Sequence, residues 1–276
     1  MRSIKILSLL LVFIFPLFVN AQTENIDQNV MQQIRKEGMQ NSKVMDIAFH
    51  LTEVSGPRLT ASPGFMRAAN YAKNQLTQWN LVNAMLDPWG EFGKSWELQK
   101  SYVAMTAPWY KSLAAYPKVW TGGTNGLKNA DVLLITAKDS AGLDAFRGKL
   151  KGKILLLDRT DKYELSFKPD ATRYTDAELD SMANIQMKPA DTSANRRRRQ
   201  QFGAGRAALV FLNSLKALAA SEGAVAVLTT NVRNHDGTIF VQQAGPYKVT
   251  DPENFLDVAI GYEDYMTMVR LLRNNI

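Results

Sequence analysis

The sequence contains no cysteine and only two histidines among its 276 residues. Without cysteine there is no disulfide, no thiolate metal site and no lipidated amino terminus, since a lipoprotein signal ends at a cysteine. Neither histidine has a second ligand at a workable spacing for a metal site. We therefore expect structural roles for His50 and His235, and we expect the adjacent side chains of His235 and Asp236 to diverge.

Nucleophile and nucleotide motifs are also lacking. The chain has no G-x-S-x-G elbow, and its glycine-rich residues 122–126 (GGTNG) lack both the GK[ST] ending of a P-loop and the spacing of a dinucleotide fingerprint. We expect residues 122–126 to form a turn between strands. No complete catalytic constellation is present, so the sequence predicts neither catalytic nor metal-binding residues in this chain.

Charge of one sign is concentrated only at residues 196–199, four consecutive arginines before an amphipathic pattern. This run has two interpretations. It could bind an anionic polymer, or it could be the ordinary solvated start of a helix. It lacks the interleaved aromatic residues typical of single-strand binding, so we do not expect a nucleic-acid partner.

The amino terminus, MRSIKILSLLLVFIFPLFVNAQ, has the pattern of a secretory signal peptide. Arg2 and Lys5 precede an apolar run over residues 6–19, and the small residues before Gln22 predict cleavage between Ala21 and Gln22. A retained anchor is the alternative. Cleavage would lower the formal charge from +7 to about +5 and leave a secreted or periplasmic chain with no membrane segment.

Two helical patterns follow the signal. Apolar residues recur at three- and four-residue spacing over residues 25–51, where Gly38 is the expected division, and again over residues 64–79, with Ser62 and Pro63 as the helix entry. Between them lies SGPRLTASPG (residues 55–64), which is longer than a simple connection needs.

Residues 81–86 and 101–107 suggest strands. All five tryptophans fall in residues 79–120, where they would either pack a junction between two lobes or form an aromatic wall against a substrate.

The rest of the chain predicts a mixed α/β (α+β) unit. Strands are expected at residues 131–136, 153–158, 224–229 and 257–260, and helices at 202–220 and 263–273. A long polar stretch, residues 159–194, carries a capping box at Thr175 and Glu178.

Four segments carry a family resemblance. They are LTEVSGPRLTASPGFMRAANYAKNQLTQWNL (51–81), GKLKGKILLLDR (148–159), KALAASEGAVAVLTTN (216–231) and DVAIGYEDYMTMVRLL (257–272). The first resembles the amino-terminal signature of secreted co-catalytic zinc exopeptidases, such as plasma glutamate carboxypeptidase and bacterial aminopeptidases. The others resemble a protease-associated (PA) domain, which that family carries as an insert.

The resemblance implies a signal peptide (1–21), the incomplete amino-terminal helical part of a peptidase α/β domain (22–110), and a PA-like insert with a small sheet or barrel and flanking helices (111–276). It also implies that residues 55–64 lie near the substrate side, where Arg58 would orient a loop or meet a carboxylate. The structural alternative for Arg58 is bonding to backbone carbonyls at the helix end.

The resemblance further implies two zinc ions and a peptide substrate in the intact enzyme, with no cofactor in this chain. The family's zinc ligands follow the insert, and this chain ends at Asn274-Asn275-Ile276, before them. We therefore expect an amino-terminal fragment that is inactive alone. The alternative is a stand-alone exported PA module that binds peptide or polysaccharide. Whether the intact enzyme is an aminopeptidase or a carboxypeptidase, and its oligomeric state, stay open.

Overall fold

The computed structural model describes residues 26–160, 167–169, 171–185 and 192–276, with the backbone alone for residues 192–204. The predicted signal peptide, its predicted cleavage site at Ala21 and Gln22, and parts of the polar stretch 159–194 lie outside the described residues. The chain divides into two compact units, the first ending at Pro57 and the second spanning Arg58–Ile276. The predicted boundary between residues 110 and 111 stays a prediction.

The first unit contains helix α1 (Gln28–Gln40) and helix α2 (Val44–Phe49), which continues as a π-helix (His50–Val54). Asp27 caps α1, because its carboxylate accepts the N–H groups of Asn29 and Val30 at 2.8 and 3.2 Å.

The expected division at Gly38 is wrong, since Gly38 lies inside α1 and the break falls at residues 41–43. Asn41 ends the helix by donating its backbone N–H to the Glu37 carbonyl (3.2 Å) and its side-chain amide to the Glu37 carboxylate (2.8 Å).

In the second unit, helix α3 (Pro63–Gln78) confirms the predicted helix and its entry. Ser62 Oγ accepts the N–H of Phe65 at 3.2 Å, and Pro63 occupies the first turn, where its missing N–H costs nothing. Only Gly64 and Ala68 of this helix are buried, so most of the predicted apolar face remains exposed.

The predicted strand at residues 81–86 is wrong. Asn80 and Asn83 have φ values of +61° and +60°, which place this segment in turns, and Val82 is 85% exposed. The strand predicted at 101–107 is shortened to β1 (Ala104–Met105), which pairs with β2 (Lys111–Ser112).

A five-stranded mixed sheet forms the centre of the second unit and confirms the α/β class. Its strands are β3 (Ala115–Pro117), β4 (Val132–Ile135), β5 (Ile154–Leu157), β6 (Ala226–Thr229) and β7 (Asp257–Ile260). Their spatial order is β3-β7-β6-β5-β4. Strands β4 to β7 run parallel, and β3 is antiparallel to β7, with Ala115 opposite Ile260. The sheet is open rather than a barrel, with β3 and β4 at its edges.

The second unit also contains a 3₁₀ helix and three further α-helices. They are the 3₁₀ helix (Ala141–Phe146), α4 (Asp176–Ala183), α5 (Thr192–Glu222) and α6 (Tyr262–Arg273). Helices α5 and α6 pack on the two faces of this sheet, while α4 buries none of its residues. Successive strand residues point to opposite faces. Leu155 and Val227 therefore pack with Leu215 of α5, whereas Leu156 and Leu228 pack with Tyr265 of α6. The apolar runs predicted as strands are buried on both sides for this reason.

Helix α5 begins earlier than the predicted residue 202, so the four arginines at 196–199 lie within it rather than before it. Their side chains are outside the described part. Gly223 ends α5 with φ of +74°, a conformation that glycine adopts without strain. The capping box at Thr175 and Glu178 is confirmed at the start of α4. Within the described ranges, every helix is too short or too polar to cross a bilayer.

Candidate functional site

The stretch SGPRLTASPG ends one helix and begins another. Ser55 is 2% exposed and donates its hydroxyl to the His50 carbonyl at 2.8 Å, while Gly56, at φ +66°, donates its N–H to the Thr52 carbonyl at 2.8 Å. Left-handed backbone after a helix is the usual C-terminal capping geometry. These two residues therefore have capping roles.

Arg58 begins the second unit and is exposed. Ala61 follows at φ +61°, and Ser62, which is 3% exposed, caps α3. The length of the stretch is explained in part by the caps at its two ends. The substrate-side role of Arg58 stays a prediction.

His50 has local contacts of the structural kind. Its Nδ1 lies 2.9 Å from the Asp46 carbonyl oxygen one helical turn earlier, and its ring meets the Phe49 ring edge-on at 5.5 Å.

His235 differs from the expectation. Its Nδ1 lies 2.8 Å from Asp236 Oδ2, so the two adjacent side chains converge instead of diverging. Asp236 has φ of +53°, and this left-handed turn brings the two side chains to the same side. The Asp236 N–H also donates to Glu263 Oε1 at 3.1 Å, at the first turn of α6. The His235–Asp236 pair thus belongs to a loop that is hydrogen-bonded to the start of helix α6.

The described residues do not fit the two zinc ions that the resemblance implies. No group of three or more His, Asp or Glu side chains that could hold a metal occurs among the residues whose positions the structure describes.

A buried ionic cluster, which the sequence did not predict, is formed by Lys118, Lys216, Asp257 and Thr229. Asp257 opens strand β7 and is fully buried; its Oδ2 lies 2.6 Å from Lys216 Nζ and 3.0 Å from Lys118 Nζ. Its Oδ1 accepts the hydroxyl of Thr229, on strand β6, at 2.6 Å. The sequence contains only two local signs of this cluster: the acid Asp257 at the start of an apolar strand, and Lys216 among the apolar residues of α5.

A second polar contact lies at the carboxyl end of β5. Asp158 Oδ1 accepts Nε and Nη2 of Arg273 at 2.9 and 2.5 Å, and Lys138 lies 3.5 Å from Oδ2. The Tyr265 hydroxyl donates to the Leu157 carbonyl at 2.8 Å. These bonds fix helix α6 across the ends of the parallel strands.

An aromatic cluster joins three segments of the second unit. Phe92 stacks on Tyr247 with centroids 4.5 Å apart, and Trp120 lies 4.8 Å from the same tyrosine. Trp120 has φ of +58°, a strained conformation for a bulky residue. Its indole N–H donates to the Lys94 carbonyl at 2.9 Å, and the Lys94 ammonium donates to the Asp251 carbonyl.

The five tryptophans do not act as one set. Trp96 and Trp120 are half-buried and hydrogen-bonded through their indoles, whereas Trp79, Trp89 and Trp109 are exposed. The interpretation that all five pack a junction between two lobes stays a prediction for the three exposed rings. An aromatic wall against a substrate stays a prediction.

Two carboxyl groups have lowered pKa values for local reasons. The Lys153 ammonium donates to Asp131 Oδ2 at 2.6 Å and lowers the pKa of that carboxyl. The backbone N–H of Thr175 donates to the Glu178 carboxylate at 2.8 Å and lowers its pKa in the capping box. Both carboxylates are exposed, so neither has the environment of a catalytic acid.

Comparisons with known proteins give partial structural likenesses. No protein-family model matches the chain, and no curated protein matches it. A crystal structure of a peptidase M28 precursor from Shewanella amazonensis SB2B is 18% identical, with a TM-score of 0.47. A zinc aminopeptidase from Bacillus subtilis is 14% identical with a TM-score of 0.42, and an aminopeptidase from Aneurinibacillus sp. strain AM-1 is 17% identical with a TM-score of 0.36.

These alignments cover 90%, 82% and 89% of this chain but only 48%, 40% and 43% of those proteins, respectively. The chain thus spans less than half the length of the solved structures it is similar to. Similarity at this level does not transfer their activities to this chain.

Proposed function

We propose that this chain is the amino-terminal part of an exported zinc-dependent exopeptidase that acts on peptides, with residues 111–276 as a PA-like insert. The zinc ligands would be supplied by sequence other than the described residues, and the chain alone would hydrolyse nothing. The insert would help to shape or cover the peptide cleft of the intact enzyme.

The observation that carries the proposal is the placement of the three PA-like motifs. Residues 148–159, 216–231 and 257–272 are far apart in sequence, yet they contain β5, β6 and β7, which are neighbours in one sheet. A unit recognised from separate motifs is expected to bring them together in this way. In addition, β3 pairs with β7, so the first and last strands of the sheet are adjacent, as an insert into another domain requires.

Exposed apolar side chains in the first unit support the same proposal. Helices α1 and α2 bury none of their residues, and Ile34 and Val44 are about three-fifths exposed. Amphipathic helices usually bury such a face against another element. A catalytic domain that covers these helices would bury it.

The nucleotide sequence following codon 276 tests the proposal at once. We expect it to encode, in the same frame or after a frameshift, a His-x-Asp segment and a Glu-Glu pair. If no downstream frame encodes either the His-x-Asp segment or the Glu-Glu pair, the enzyme proposal is contradicted.

A stand-alone binding module is the second candidate, and one observation favours it. The sheet of the second unit has a complete apolar cluster on each face, which is enough to fold without further layers. Arrays of peptides and polysaccharides probed with the purified chain distinguish the two candidates. Saturable binding by a cooperatively folded chain favours the module; an absence of binding favours the enzyme part.

A further inference from the structure

We propose that the buried cluster of Lys118, Lys216, Asp257 and Thr229 is a binding site for a small monovalent anion. This inference is independent of the proposed peptidase function. It rests on an imbalance between the cations and the anions that the cluster places together.

The imbalance is one of charge. The ammonium groups of Lys118 and Lys216 both approach the same oxygen, Oδ2 of Asp257, at 3.0 and 2.6 Å. Among the ion pairs of the described residues, neither lysine has another carboxylate partner. Two cations therefore share one anion, and the cluster carries one excess positive charge.

Burial makes this excess unfavourable. Asp257 is fully buried, and the side chains of Lys216 and Lys118 are only 10% and 13% exposed. Water can therefore compensate little of the charge, and a buried charge without a counter-ion is strongly disfavoured. An anion beside the two ammonium groups would remove the imbalance.

Hydrogen-bond donors are also in excess. Two ammonium groups carry six N–H donors. Across the described residues they have three contacts: two to Asp257 Oδ2 and one from Lys216 to the Ala244 carbonyl at 3.2 Å. Asp257 Oδ1 is already used by Thr229. The remaining donors are suited to an acceptor that brings its own negative charge.

The site connects parts of the second unit that local sequence does not hold together. Lys216 lies on α5, Asp257 opens β7, and Lys118 directly follows β3, where its backbone N–H donates to the Asp257 carbonyl at 2.8 Å. Lys216 also holds the loop at Ala244. A bound anion would therefore stabilise this edge of the sheet and the loop together.

Thermal unfolding of the full chain tests the proposal, with acetate and chloride as separate probes. Ionic strength is held constant with a large organic sulfonate, so that only small anions differ between samples. We expect a saturable rise in Tm of about 5–10 °C once the probe reaches about a hundred times its Kd. Preference for acetate identifies a carboxylate ligand, and equal or better binding of chloride identifies a simple halide-type site.

Lys118→Met should weaken the apparent affinity for the probe at least tenfold, because it removes the excess charge while keeping the apolar stem. Lys153→Met is the matched control, since Lys153 pairs with the exposed carboxylate of Asp131 and should leave the anion response unchanged. An unsaturable response, or one that is equal in the parent chain and Lys118→Met, overturns the proposal.

A direct measurement covers the case in which Lys118→Met fails to fold. Isothermal titration of the parent chain with acetate, and line broadening of the chloride NMR signal, should both report binding. Absence of both signals overturns the proposal. So does an Nζ chemical shift typical of a neutral amine for either lysine in anion-free buffer, because a neutral lysine already removes the excess charge.

Discussion

Ala115 and Ile260 are directly opposite each other in the antiparallel pair of β3 and β7. The first residue of β3 is therefore next to the last residue of β7, so the chain enters and leaves the sheet at neighbouring positions. A unit built in this way can be inserted in another domain without separating the two halves of its host. This relationship makes the domain organisation testable.

Residues 101–276 expressed alone should unfold in one cooperative transition, because both apolar clusters belong to this segment. A segment beginning at residue 111 should also fold, but with lower stability. It lacks Val103 and Met105, which pack against the cluster under α6. Denaturant unfolding followed by near-ultraviolet circular dichroism measures both. Loss of a cooperative transition in the longer segment would contradict the insert organisation.

Asp257→Ala should reduce the free energy of unfolding by about 3–5 kcal/mol, because it leaves two buried ammonium groups without their partner. Asp131→Ala is the matched control. Its pair with Lys153 is exposed, and exposed pairs contribute about 0–1 kcal/mol. Urea denaturation measures both changes. Similar losses in the two variants would show that burial of the Asp257 cluster is not important for stability.

Leu156→Ala should destabilise the second unit by about 2–5 kcal/mol, since Leu156 is fully buried between the sheet and α6. Leu127→Ala is the control, because Leu127 is 85% exposed and its truncation creates no cavity. The midpoints of denaturant unfolding compare the two, and a loss below about 1 kcal/mol for Leu156→Ala would contradict the proposed core.

Ser62→Ala should destabilise helix α3 by about 1 kcal/mol, because the N–H of Phe65 loses its side-chain acceptor. Ser62→Thr keeps a hydroxyl at the cap and should retain most of the stability. Amide hydrogen exchange at the first turn of α3 gives the local readout. Unchanged exchange in Ser62→Ala would show that the cap is unimportant.

Lys153→Met should raise the pKa of Asp131, because the hydrogen bond and charge of Lys153 lower it in the folded chain. A lowered carboxyl pKa contributes stability above the unfolded-state pKa, and this contribution is lost as pH falls through the lower folded-state value. NMR titration of the Asp131 carboxyl follows the change directly. Lys149→Met is the control, since Lys149 bonds to the Ala145 carbonyl instead; an equal shift in both variants would point to a general charge effect.

The parallel core could be predicted because its signals are local. Residues 132–135 and 154–157 form short apolar runs between polar segments, and such runs match strands buried on both faces. The predicted end of α6 at Arg273 was also correct. In these segments the local pattern and the tertiary packing favour the same structure.

Other features depended on contacts that local sequence does not carry. Residues 81–86 have strand-like composition but pair with no strand among the residues that the structure describes, and Asn80 and Asn83 turn the chain instead. β-Propensity describes the fit to a pleated, half-buried surface, and that surface is missing here. The prediction at Gly38 overestimated how strongly a single glycine interrupts a helix, because one glycine destabilises a helix by only about 1 kcal/mol.

The candidate site was the least predictable part. Lys118, Lys216 and Asp257 are separated by many residues, and only the sheet topology brings their charges together. The contact between His235 and Asp236 required the left-handed backbone at Asp236, which sequence periodicity does not reveal. Arg58 is exposed, and its proposed role depends on the domain that the proposed function supplies.

The proposed function depends on this chain being part of a zinc exopeptidase whose metal ligands lie outside the described residues. Zinc content and peptide hydrolysis, measured on the purified chain and on the product of its extended reading frame, test it most directly. We expect stoichiometric zinc and exopeptidase activity in the extended product and neither in the chain itself. Tight zinc and peptide hydrolysis in the chain alone, both lost in His50→Ala or His235→Ala, would contradict it.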